Sequence, residues 1–155
     1  MNKVLITLAA LAVGLVGCGS MGGAGGGDGI VVLATGAHSA ITEQEYKDFH
    51  DAATLKAYWD KAFPAGTSGP DMPQVDWSKQ MVLTAFIGTQ KHTKFQVRFL
   101  KVDATGDTVF VSTKIVIPCG LHSQEADQQP FTVIAAPATT KPVMFNQPEQ
   151  ENQKC

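Results

Sequence analysis

The hydrophobic pattern of this chain changes period several times, and each change predicts an element. Residues 4–16 form one continuous apolar run, and a glycine-dense stretch follows it. Ile30 to Ala34 is a short apolar run that predicts a first strand, and Tyr46 to His50 predicts a second. Leu55, Tyr58, Trp59, Ala62 and Phe63 then recur at i, i+3, i+4, i+7 and i+8. That spacing predicts an amphipathic helix with one core-facing stripe. Asp51 is placed to cap it, and Pro64 and Gly66 to stop it. Residues 64–75, rich in Pro, Gly and Ser, read as a loop.

The remainder reads as β. Met81 to Ile87 is apolar on both parities, the signature of a central strand covered on both faces. Phe95, Val97 and Phe99 alternate with Lys94, Gln96 and Arg98, as on a half-buried strand. Leu100 and Val102 shift that parity, which predicts a bulge. Asp103-Ala104-Thr105-Gly106-Asp107 is turn chemistry for a hairpin. Val109, Val111, Thr113, Ile115 and Ile117 form one face of the next strand, and two short strands follow at Phe131–Ala135 and Val143–Phe145. Residues 147–155 read as a polar C-terminal tail. The expected fold is α+β, a mainly antiparallel β-sheet with one principal helix on one face. A β-sandwich or partly open barrel capped by the helix is the alternative.

The N-terminal run changes the picture from one domain to four parts. Thirteen apolar residues behind Lys3 are too few for an ordinary membrane span and match the core of a signal peptide. Leu15-Val16-Gly17-Cys18 resembles the lipobox of bacterial lipoproteins. The resemblance implies cleavage before Cys18 and a diacylglycerol on its thiol. An acyl group such as palmitate on the new amino group would make a firm multi-chain anchor. Residues 19–29 hold seven glycines in eleven positions, too costly to order and without a core to bury. As a coil they reach roughly 17–20 Å. The expected division is signal peptide at 1–17, lipidated Cys18 and tether at 18–29, one folded domain at 30–146, and the tail at 147–155. An Asp directly after Cys18 would suggest inner-membrane retention; Gly19 stands there instead. The expected location is therefore the bacterial cell envelope, at the outer membrane facing the periplasm or the cell surface.

Charge and motifs narrow the chemistry. Twelve Lys+Arg against fourteen Asp+Glu in 155 residues leave a net charge of −2, without the basic bias of a nucleic-acid binder. The chain lacks a zinc-protease helix motif, a nucleophile elbow and a phosphate- or dinucleotide-binding glycine motif. Cys119 and His122 stand three apart, with Glu125 three further on. They could supply an activated thiol or part of a metal site, but a structural zinc needs four ligands and no further partner is spaced for it. No cofactor or metal is expected. The second reading pairs Cys119 with Cys155 in an oxidising compartment. A bond there closes a loop of about 37 residues and is worth about 4 kcal/mol in the chain-entropy model.

Val75-Asp76-Trp77, Met81-Val82-Leu83, Gly88, the strand led by Phe95, Cys119, Pro130-Phe131-Thr132-Val133-Ile134 and Pro142-Val143-Met144-Phe145 together resemble the PrcB-type C-terminal domain. The helix carrying Tyr58-Trp59 fits the start of that pattern. One departure stands out: Thr93-Lys94-Phe95 occupies the place where the family commonly has a Thr-Gly-Gly-aromatic turn. The resemblance implies a non-catalytic accessory subunit that binds or stabilises an envelope protein, a protease in the characterised relative. The loops at 88–93 and 118–129 are its candidate contact surfaces. A small-molecule or metal-binding lipoprotein is the alternative, and a small thiol-dependent enzyme using Cys119 and His122 is the third.

Overall fold

The computed structural model describes residues 29–155. The signal peptide, Cys18 and all of the tether except Gly29 lie outside the described residues.

The helix forms where its stripe predicts, as α1 over Ala52–Ala62. Asp51 is extended and caps it, its Oδ1 accepting from Thr54 N at 2.8 Å. Those hydrogen bonds from Thr54 hold the Asp51 carboxyl below the usual carboxylate range. The helix stops at Phe63, one residue before Pro64. The loop beyond turns back onto it, and Trp59 Nε1 donates to Pro70 O at 3.0 Å.

The strands are β1 (Val31–Gly36), β2 (Gln44–Phe49), β3 (Gln80–Ile87), β4 (Gln90–His92) and β5 (Gln96–Asp103). They continue as β6 (Val109–Ile117), β7 (Glu125–Gln128), β8 (Phe131–Pro137), β9 (Val143–Phe145) and β10 (Glu149–Asn152). The first sheet runs β1-β8-β3-β2, antiparallel throughout. The second has β5 against one edge of β6 and both β9 and β10 against the other. A small ribbon pairs β4 with β7. Among the described residues the sheets are open and no barrel closes, so the arrangement is sandwich-like with a helix on its outer face.

Parity along β3 builds the layers. Met81, Leu83, Ala85 and Ile87 face the second sheet, packing with Val97, Phe99, Val109, Val111, Ile134 and Ala136. Val82 and Phe86 face the helix, packing with Leu55, Tyr58, Trp59, Ala62, Phe131 and Val133. Aromatic rings tighten the helix side: Phe86 stacks on Phe131 at 5.4 Å, and Phe63 meets Phe131 edge-on at 4.9 Å.

The bulge falls where the parity shift placed it, between Phe99 and Lys101. Asp103 makes the hairpin turn by accepting from Thr105 N at 3.1 Å and Thr105 Oγ1 at 2.7 Å.

Two expectations are corrected, and the mainly antiparallel arrangement gains two parallel pairings. Residues 147–155 are not simply a tail, because Glu149–Asn152 pair with Lys114–Ile117 as β10. Both β9 and β10 run parallel to β6, so the second sheet is mixed. The chain from Val143 to Asn152 follows β6 along its length and breaks only around Pro148, which has no N–H for the ladder. The face expected on β6 holds through Val109, Val111 and Thr113, and Ile115 packs half-buried against the same core. Further on, Val116 of the opposite parity is buried, lying between Gln96 and Glu151 in register, and Ile117 is only half-buried.

Gly88, after β3, has φ +70° and no room for a side chain. A Cβ there would lie 2.7 Å from Thr42 O. Gly88→Ala is expected to destabilise the domain by about 1–3 kcal/mol, seen as a lower denaturation midpoint in urea with an unchanged slope.

Candidate functional site

The two flanks of the sandwich are finished differently. On one flank Tyr46 of β2 stacks on Phe145 of β9 at 5.6 Å and closes the layers with rings. On the other flank lie the outer strands β1 and β5. Here the link is polar. Thr132 Oγ1 of β8 donates to Val97 O of β5 at 2.7 Å, buried between the sheets. Thr132 has then spent its only hydroxyl proton, and Thr35 Oγ1 of β1 has a single proton to give, with Thr132 Oγ1 and Phe131 O both 3.1 Å away.

A groove of about 850 Å³ opens on this flank. One wall is the end of β1, Thr35 to Ala37; another is the turn from Thr93 to Gln96 that enters β5. His122, Gln124, Gln128 and Gln153 complete it, with Phe131 among the lining residues. The lining carries four glutamines, Lys94 and His122, and no carboxylate. Gly36 belongs to this wall because the Phe131 ring lies against it, 2.8 Å from where a Cβ would stand.

The loops at 88–93 and 118–129 are brought together here. Gln90–His92 and Glu125–Gln128 pair as the ribbon, and Thr93 N donates to Gln124 O at 2.8 Å. Lys91 and Asp127 bridge it on the outside at 3.0 Å. The ribbon thus fixes Gln124 and Gln128 on one side of the groove. Sequence reasoning found both loops but not their pairing. Neither has a buried face to leave a periodic signal, since Lys91, His92 and residues 124–127 are exposed.

Lys94 is the one non-glycine among the described residues with positive φ, at +71°. Its N donates to Gln128 Oε1 at 3.0 Å. The turn therefore places a lysine in the left-handed region that favours glycine. Such a conformation costs of order 1 kcal/mol in a side chain with a Cβ.

The cysteine pair defines the last wall. Cys119 and Cys155 are joined as a disulfide, with Cα atoms 5.3 Å apart. Cys119 is buried, directly before the 3-10 turn Gly120–His122. Cys155 lies two residues beyond Gln153, whose N donates to Ile117 O at 2.9 Å. The bond holds the His122 wall and the Gln153 wall together. Sulfur in a disulfide is neither a nucleophile nor a metal ligand, so Cys119, His122 and Glu125 do not form the thiol site their spacing allowed. His122 lines the groove, while Glu125 sits on β7 opposite His92. Among the described residues no three metal-ligating side chains converge, and no helix is long and apolar enough to cross a membrane.

No protein-family model, no curated protein and no solved structure matches the chain.

Two outcomes follow from this geometry. Cys155→Ser is expected to cost about 2–4 kcal/mol of stability, and neither Cys119 nor Cys155 of the unreduced, denatured protein should react with an alkylating agent. Lys94→Gly is expected to stabilise the domain, by about 0.5–1 kcal/mol in urea denaturation, because glycine adopts positive φ without strain.

Proposed function

We propose that this chain is a lipid-anchored accessory protein of the bacterial cell envelope that holds a protein partner against the groove between β1 and β5. In this reading Cys18 carries the acyl chains and residues 19–29 act as a spacer. The domain binds or stabilises its partner, a protease on the PrcB-type resemblance, and performs no chemistry of its own.

The observation that carries the reading is the composition of the groove. Its polar side chains are amides, hydroxyls, one imidazole and one ammonium, set beside the rings of Phe95 and Phe131 and fixed on the sandwich by a ribbon and a disulfide. Such a set donates and accepts hydrogen bonds to a polar chain. It offers no activated nucleophile, since the sulfur beside it is bonded. Loops gathered at one place on a rigid β scaffold are where binding residues concentrate. The strained Lys94 fits the same view, as backbone strain clusters at binding sites. The groove volume also suits a small ligand, which keeps an envelope small-molecule binder as the second reading.

A photo-crosslinking residue at Gln96, on the groove wall, tests the proposal in cells making the full chain. The same residue at Lys56, on the exposed face of α1, is the control. One dominant protein adduct from position 96 and not from position 56 is expected. Identical adduct patterns from the two positions, or none from position 96, would overturn the protein-partner reading. In the second case, thermal stabilisation by members of a small-ligand panel would favour the alternative.

A further inference from the structure

The two sheets do not match in width. Among the described residues the first sheet has four strands side by side, β1-β8-β3-β2. The second has three rows: β5, β6, and the line shared by β9 and β10. The stack of Tyr46 on Phe145 sets β9 over β2 at one flank. At the other, β5 lies over β8 and β3, joined to β8 by the Thr132 to Val97 hydrogen bond. β1 therefore extends one strand beyond the second sheet.

The overhang is visible in side-chain exposure. Val32 pairs with Ile134 and Thr35 with Thr132, so both point toward the second sheet. Val32 is nevertheless 50% exposed. The outer edge of β5, pointing away from β6, has no partner strand among the described residues; along it Val97 O accepts from Thr132 Oγ1. The groove lies at one end of these two edges, between Thr35–Ala37 and Thr93–Gln96.

The charges on the outer face of the second sheet say what a further strand would carry. Lys114 of β6 stands opposite Arg98 of β5. On its other side, β10 reads Glu-Gln-Glu-Asn, and Lys114 Nζ meets Glu151 at 2.8 Å and Glu149 at 4.0 Å. A strand with acidic residues at alternate positions thus already complements this sheet along one edge. Along the opposite edge Arg98 has no carboxylate partner among the described residues; its guanidinium donates to Gln96 Oε1 at 2.7 Å and 3.3 Å. Lys94 adds a second cation at the groove end of that edge.

We propose that an extended segment of the partner protein adds to β5 as an extra strand lying above β1, with outward acidic side chains facing Arg98 and Lys94 and inward apolar ones covering Val32. This rests on the protein-partner reading and names the kind of segment it uses. Main-chain hydrogen bonds to the β5 edge supply affinity, and alternation of acidic and apolar residues supplies selectivity. The straight part of the edge is short, from Gln96 to the bulge after Phe99, so the segment engages about four to six residues.

Two acetylated, amidated hexapeptides serve as probes with the full chain at neutral pH: one alternates Glu and Val, the other Lys and Val. The Glu peptide is expected to bind at least ten-fold more tightly than the Lys peptide. Arg98→Glu, at an exposed position, is expected to reverse the preference, which a merely weakened fold would not do. Val32→Asp is expected to weaken the Glu peptide several-fold. Equal binding of the two peptides, no binding of either, or a preference unchanged by Arg98→Glu would overturn the added strand. A dimer of the chain that Arg98→Glu dissolves would overturn it too, by placing a second copy on the edge. If a partner is still crosslinked at position 96 while the peptides fail, the protein-partner reading stands and the added strand alone is lost.

Discussion

Met81 to Ile87 are buried without interruption along β3. A strand in a two-layer protein has one face dry and one wet, so this sequence requires a third layer. The helix supplies it on one side and the second sheet on the other. Each large apolar side chain buried here contributes about 1.5–3 kcal/mol, so the strand outweighs any single cap, ion pair or turn. β8 is placed beside it because Phe131 to Ala136 carry the same double-sided pattern. What remains of the architecture is the set of strands that complete the edges of these two.

Those edge strands are held by other means. β10 is exposed at all four residues and buries no face. Its ladder to β6, its pairing with Lys114 and the covalent bond at Cys155 keep it in place. The ion pair is open to solvent and screened by salt, which leaves the disulfide as the stronger constraint. Its effect reaches the groove because the two joined segments form adjoining walls. A C-terminus with no core of its own is thus made part of a rigid surface.

The groove and the uneven sheets describe one region from two directions. A sandwich closed by rings on one flank and by a buried hydroxyl hydrogen bond on the other is asymmetric, and the polar flank is where the strained Lys94, the ribbon and the disulfide converge. Natural edge strands are commonly guarded by charge. β2 carries Glu45, Lys47 and Asp48, and β10 carries two glutamates. β5 carries charge of mainly one sign near its start, at Arg98, while Lys101 is matched by Asp103 at 2.6 Å. A one-signed edge repels some strands and admits others, which is how an edge can be both protected and selective.

Sequence alone determined every element that buries a face. The helix stripe, the double-sided strand at 81–87, the alternation from Phe95, the bulge near Leu100 and the hairpin at Asp103 were legible because burial imposes a period of 3.6 or 2. It also marked Cys119 and Cys155 as a pair to consider and Thr93-Lys94-Phe95 as an unusual turn. It could not place β4, β7 or β10, whose residues are almost wholly exposed and whose strands are held by backbone hydrogen bonds that any sequence can make. It could not foresee that the two loops pair, that β9 and β10 run parallel to β6, or that Lys94 adopts a glycine-like conformation. The groove lies among these features, on side chains drawn from distant parts of the chain. Its position was decided by long-range pairing, for which burial leaves no local trace.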